Sequence, residues 1–166
     1  LIHVFLVHDK LVIVKWVSMG KSPVKGKVVK LEEVPDPVFA EKMVGDGFAV
    51  EPENGEVFAP VRGEVTLQPE GYHAIGIKTQ EGLEVLVHFG LETVELKGEG
   101  FTPHVKVGDM VKKGDKVLSV DIEKIKDKVP SIITPCIVAN LEENILSEIN
   151  FDANCGEEVQ TVTIAE

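Results

Sequence analysis

The sequence predicts an all-β protein, an antiparallel sandwich or barrel made of a duplicated unit with only short helical turns. Two observations carry this. Of 166 residues, 43% are hydrophobic but only 5% aromatic, so the core is mostly Val, Ile and Leu. Those residues, with 15 Gly and 9 Pro along the chain, favour many short strands and turns. In addition, SPVKGKVVKL at 22–31 returns as APVRGEVTL at 59–67, an offset of 37 residues, with a weaker echo at 133–139. Each copy is a small residue, Pro-Val, a basic residue, Gly and an alternating strand. A repeated strand-turn unit implies a sandwich or barrel of similar halves.

Taken in order, residues 1–20 are apolar but interrupted by Asp9, Lys10 and Lys15. The uncharged runs fall short of the roughly 20 residues a bilayer span needs, and no signal-peptide pattern is present. This segment reads as a linker or an extra N-terminal strand, and residues 21–166 as one domain. His3 and His8 accompany no ligand pattern. Between the repeats, Pro37 to Val44 reads as one or two helical turns stopped by Gly45. Gly45-Asp46-Gly47 then reads as a tight turn projecting Asp46, for which turn formation alone is the simplest explanation. Phe48-Ala49-Val50 reads as a short strand.

Residues 72–90, YHAIGIKTQEGLEVLVHFG, read as a β-hairpin around Thr79-Gln80-Glu81-Gly82. A two- or four-residue loop centred on Gln80 and Glu81 sets His73 opposite His88, with Cβ atoms roughly 4.5–5.5 Å apart. An odd-length loop breaks that pairing. Downstream, Gly-Asp turns at 108–109 and 114–115 separate Val-rich strands. Asp121 caps a short helix over 122–128, and 141–146 reads as a helical turn. Residues 158–164 form the last alternating strand.

The net charge of −11 argues against nucleic-acid binding and suits a basic protein partner. Cys136 and Cys155 lie outside any CxxC pattern and read as free thiols in a reducing compartment. No P-loop or dinucleotide motif occurs. The chemistry therefore rests on residues 84–101, EVLVHFGLETVELKGEGF, where an apolar strand ends in His88 just before Gly90. A lone histidine on an apolar strand is usually a satisfied core residue; a pair is different. Two adjacent imidazoles disfavour charge on each other and stay neutral. One can attack an electrophile while a backbone carbonyl holds its other N–H. The second can donate to oxygens of the transferring group. This suits phosphoryl transfer to histidine. Zinc is the rival use, with Asp46 or Glu92 as a third ligand, but no HxH or HExxH motif supports it. Glu92, Glu95 and Glu99 read as solvated acids, Glu92 bordering the site. His104 falls in a loop.

The motifs SPVKGKVVKLEEVPDPVFAEKMVGDGFAVEP, VFAPVRGEV, HAIGIKTQEGLEVLVHFGLETVELKGEGF and VKVGDMVKKGD, in that order, closely resemble the glucose-type enzyme IIA domain of the bacterial phosphoenolpyruvate:sugar phosphotransferase system. The resemblance covers about residues 20–166 and implies a β-sandwich of the duplicated hybrid-motif kind. It implies that His88 accepts phosphate from phospho-HPr and passes it to a cysteine of the IIB domain. It further implies that His73 contacts the phosphate and that the Gly90 carbonyl orients His88. Asp46, Phe48, Val50 and Glu92 would line the docking rim. No cofactor is implied for the chemistry, although relatives bind zinc through the two histidines at a regulatory interface. Implied partners are HPr, a IIB domain and regulated transporters or kinases, with a cytoplasmic location or membrane association through a permease. One departure stands out: many members carry a threonine two residues before the assisting histidine, where this chain has Gly71.

Three rivals remain: a lipoyl- or biotinyl-type carrier, a lysostaphin-like zinc peptidase and a purely regulatory interaction protein. The first shares the VKVGDxVKKGDxV pattern but needs a modifiable lysine at a hairpin tip, and neither Lys124 nor Lys126 lies in such a motif.

Overall fold

The computed structural model describes residues 2–7, 10–142 and 144–165. His8 lies outside them, and of His3 only the backbone pairing is described. Strands β1 (Ile2–Val7) and β2 (Lys10–Lys21) form a hairpin. β2 continues onto β13 (Glu158–Ala165), which also pairs with β12 (Ile145–Leu146).

The remaining strands form one large antiparallel sheet. They are β3 (Val24–Lys30), β4 (Asp46–Phe58), β5 (Gly63–Leu67), β6 (Ala74–Lys78), β7 (Glu84–His88), β8 (Phe101–Pro103), β9 (Met110–Val111), β10 (Lys116–Val120) and β11 (Thr134–Val138). Their order is β8-β10-β4-β11-β7-β6-β5-β9, with β3 also on β4. β4 is the spine: β3 runs along one edge, while β11 pairs with 46–50 and β10 with 56–58 on the other.

The repeat has a steric reason. A Cβ on Gly26 would lie 2.0 Å from the Glu51 carbonyl oxygen of β4, and one on Gly63 2.2 Å from that of Lys78 in β6. In both copies the glycine lets a neighbouring strand approach more closely than any side chain permits. The Gly45-Asp46-Gly47 segment departs from its expected turn for the same reason. It opens the 13-residue strand β4, and a Cβ on Gly47 would sit 2.2 Å from the Cys136 oxygen of β11. Residues 141–146 also depart from the helical expectation, because Ile145 and Leu146 pair with β13.

Alternation along the strands sorts the core into two clusters. Phe48 and Val50 of β4, Ile75 and Ile77 of β6, and Val85 and Val87 of β7 belong to the main core. Ala49, Ile137, Leu91 and Ile133 form a second cluster with Leu31, Val34 and Phe39, on the opposite face of the sheet. Leu86 packs against this second cluster, so the same alternation places His88 on that face. Phe39 comes from α1 (Pro37–Ala40), shorter than expected: Asp36 accepts from the Val38 N–H, and Lys42 already has φ +59°. The second helix, α2 (Ile122–Ile125), starts where Asp121 accepts from the Lys124 N–H.

Candidate functional site

His88 is the last residue of β7. Its Nδ1 lies 2.7 Å from the Gly90 carbonyl oxygen. A carbonyl only accepts, so the neutral ring carries its proton on Nδ1, and the Nε2 lone pair is left bare. Gly90 reaches this position with φ +73°. A Cβ there would meet Thr93 Cγ2 at 2.8 Å, while the Thr93 hydroxyl donates to the Phe89 carbonyl at 2.8 Å. A close-packed glycine turn thus aims the carbonyl back at the histidine.

The His73 and His88 rings lie edge to face, with centroids 5.2 Å apart. They do not meet by the expected register. The ladder pairs Ala74 with His88 and Lys78 with Glu84, leaving a five-residue loop. That loop is closed from Thr79 N–H to the Leu83 carbonyl at 2.9 Å and from Leu83 N–H to the Thr79 hydroxyl at 3.1 Å. Continued alternation would send His73 to the other face. Instead β6 begins only at Ala74. Gly71 and Tyr72 have φ values of +92° and +64°, and the chain turns there. The His73 carbonyl still accepts from the Phe89 N–H at 2.8 Å, but its ring is free to lie beside His88.

His73 is 8% exposed, and its Nδ1 is enclosed without a hydrogen-bond partner. Gly71 offers no hydroxyl to it, and instead packs against the Gly98 backbone, where a Cβ would lie 3.1 Å from the amide nitrogen. Burial lowers the His73 pKa below its ordinary 6.5. Burial also lowers that of His88, opposed by the Gly90 hydrogen bond and Asp36 and reinforced by His73. Both rings therefore stay neutral near pH 7.

Phe39 packs on His88 with centroids 5.2 Å apart. Sequence reasoning missed this residue and Asp36, because their nearness to His88 depends on how α1 folds onto the second cluster. The four residues expected at the rim fall in different surroundings. Asp46 is half-buried and lies 3.6 Å from Lys42, and Glu92 is exposed at φ +57°. Phe48 and Val50 are fully buried and cannot line a docking surface, because the alternation of β4 turns both into the main core. The exposed apolar residues flanking the site are Val38, Met43, Val44 and Val94. A legible signal existed in 37–45, an apolar segment too short and turn-rich to bury itself.

Among the described residues, no group of three or more His, Cys, Asp or Glu side chains could hold a metal ion, so Asp46 and Glu92 complete no zinc site. Lys126 pairs with Glu123 at 2.7 Å and sits after α2, not at a hairpin tip. His104 lies apart, its Nε2 2.7 Å from Ser119 Oγ. No helix among the described residues is long and apolar enough to cross a membrane.

A family model described as "phosphoenolpyruvate-dependent sugar phosphotransferase system, EIIA 1" matches residues 20–144. The chain is 54% identical over 121 residues to a "PTS system glucose-specific EIIA component" of Oceanobacillus iheyensis, covering 73% of each chain. It is 49% identical over 128 residues to a "PTS system beta-glucoside-specific EIIBCA component" of Bacillus subtilis, covering 77% of this chain and 21% of that one. The solved glucose permease IIA from Mycoplasma capricolum superposes with a TM-score of 0.85 at 38% identity, covering 89% of this chain and 96% of the other.

Proposed function

The chain belongs to the EIIA 1 family of the phosphoenolpyruvate-dependent sugar phosphotransferase system, and we propose that His88 is the residue on which it carries the phosphoryl group. It is a phosphotransferase component and a phosphoryl carrier in sugar uptake. The observation supporting His88 is its Nδ1–H bond to Gly90, with the His73 ring 5.2 Å away.

In this reading the bare Nε2 of His88 attacks the phosphorus of phosphohistidine on HPr. A new N–P bond forms, the donor N–P bond breaks, and the electron pair returns to the donor ring. His88 keeps its Nδ1–H on Gly90 throughout, so the charge developing on the ring is stabilised without moving a proton. With its Nδ1 enclosed, His73 turns Nε2 outward. Protonated there, it donates to a phosphoryl oxygen, and positioning and charge stabilisation do most of the work. A cysteine thiolate of a IIB domain then attacks phosphorus, and the electron pair of the His88 N–P bond returns to the imidazole.

The docking surface in this proposal is the apolar rim of Val38, Met43, Val44 and Val94, edged by Asp46 and Glu92. Its acids and the overall charge favour encounter with a basic HPr. The Bacillus subtilis relative, whose printed name joins EIIB, C and A, supports a IIB partner and action beside a membrane permease at its cytoplasmic face. Regulated transporters or kinases would use the same rim. Zinc enters no step. His73 and His88 supply two ligands at most, so a zinc ion there needs others from a docked partner.

The test is labelling with radioactive phosphoenolpyruvate, enzyme I and HPr. His88→Ala loses all label on this chain, and normal labelling of that variant would show the assignment to be wrong.

A further inference from the structure

We propose that a cleft at the turn end of the β6–β7 hairpin binds phosphate-bearing anions, independently of His88. The cleft has a volume of about 840 Å³, and its lining includes Arg62, Lys78, Lys112 and Lys113. Topology brings them together. β5 pairs with β6 on one side, Glu64 opposite Lys78, and with β9 on the other, Gly63 opposite Val111. Arg62, the residue just before β5, therefore lies between Lys78 and the Lys112-Lys113 turn.

These cations differ from the lysines that are held in ion pairs. Lys25, Lys42, Lys116, Lys126 and Lys128 each hold a carboxylate at 3.7 Å or less. Among the described residues, Arg62, Lys78, Lys112 and Lys113 have no such ion pair. Two carboxylates, Glu64 and Glu81, also line the cleft and only partly offset the four positive charges. In a chain of net charge −11, this concentration runs against the general field.

The identity of one residue narrows the ligand. Arg62 is the chain's one arginine. A guanidinium presents a planar fork that matches phosphate oxygens in pairs, and ammonium groups beside it add point charges. The volume lies in the range of small-ligand sites. A phosphate ester or polyphosphate with several negative charges fits better than a monoanion.

The cleft is separate from the histidine pair. Glu84 and His88 mark opposite ends of β7, four residues or roughly 13 Å apart along a strand. Occupancy of one leaves the other open.

The test is titration of the isotope-labelled full chain with inorganic tripolyphosphate at about 0.1 M salt, a Debye length of about 10 Å, followed by amide NMR. Saturable shifts are expected at 62–64, 78–82 and 110–113. Arg62→Gln with Lys112→Gln should weaken binding at least tenfold, and Lys113→Glu should weaken it independently. Lys124→Gln with Lys126→Gln should leave it unchanged. Phosphoryl labelling at His88 stays normal in all of these exposed-residue variants, reporting an intact fold. Shifts spread equally over 124–128, or unaltered binding by the Arg62 and Lys113 variants, would overturn the proposal. Competition by phosphatidylglycerol vesicles but not phosphatidylcholine vesicles identifies a lipid headgroup as the source. Binding of tripolyphosphate without vesicle competition identifies a soluble phosphate compound.

Discussion

The Nδ1 of His88 donates to the carbonyl of Gly90 across 2.7 Å, two residues further along the chain. This contact fixes the tautomer of the ring and leaves the Nε2 lone pair unprotonated.

Gly90→Ala tests the contact. The new Cβ would meet Thr93 Cγ2 at 2.8 Å and the Ser131 oxygen at 3.1 Å, at φ +73°. Backbone strain of about 1–3 kcal/mol is expected. Relief of that strain turns the carbonyl away, and loss of about 1.4 kcal/mol of orientation slows phosphoryl acceptance tenfold. Rapid-quench labelling measures the rate, and imidazole nitrogen shifts report the tautomer. An unchanged rate and an unchanged Nδ1–H signal would remove Gly90 from the mechanism.

His73→Gln separates acceptance from delivery. The His88 lone pair remains, so labelling by HPr continues. The donor to the phosphoryl oxygens is misplaced, so onward transfer to a IIB cysteine falls by two orders of magnitude or more, about 2.7 kcal/mol. Chase of the labelled variant with purified IIB domain measures this. Equal delivery by variant and parent would leave His73 without a role in transfer.

The two histidines also set a pH dependence. Both have pKa values lowered from 6.5, chiefly by burial. The unfolded chain therefore takes up protons near pH 6.5 that the folded chain refuses. Stability is highest above that value and declines as pH falls through it, levelling off below the folded pKa values. Acceptance by His88 should hold constant from pH 8 to 6.5 and fall only at lower pH. Proton NMR of the ring C–H signals gives the midpoints; a midpoint at or above 6.5 for His88 would contradict the burial argument.

Phe39→Ala extends that argument. Phe39 is 7% exposed and covers His88. Truncation admits water, so the His88 midpoint moves up toward 6.5. Stability falls by about 3 kcal/mol, in the range for buried aromatic truncations. Urea denaturation and ring titration on the same sample provide both values.

Gly47→Ala probes the strand that replaced an expected turn. Its Cβ would collide with the Cys136 carbonyl at 2.2 Å, forcing β4 from β11. A loss of about 1–3 kcal/mol is expected, read by urea midpoint. A change under about 0.5 kcal/mol would be typical of an unconstrained surface position.

Much of this protein was legible in its residues. The repeated Pro-Val-basic-Gly unit and the alternating runs gave the fold class, and the apolar run placed His88 at the end of a strand, because they are local patterns of period two. The ordered motifs gave the family. Phe48 and Val50 were misplaced because apolar residues near a site look alike whether they face the core or a partner. The strand β4 that sorts them runs through a Gly-Asp-Gly segment that reads locally as a turn.

The sequence by itself determined that His73 and His88 share a hairpin, and that Gly90 follows close enough to be bonded. Tertiary structure decided how the rings meet. A loop of four residues and one of five differ by a single register step, and that step moves every side chain to the other face. The five-residue loop set Ala74, not His73, opposite His88. The backbone turn at Gly71 and Tyr72, packed against Gly98, then brought His73 back to its partner. That packing joins residues far apart in the chain, and no local pattern encodes it.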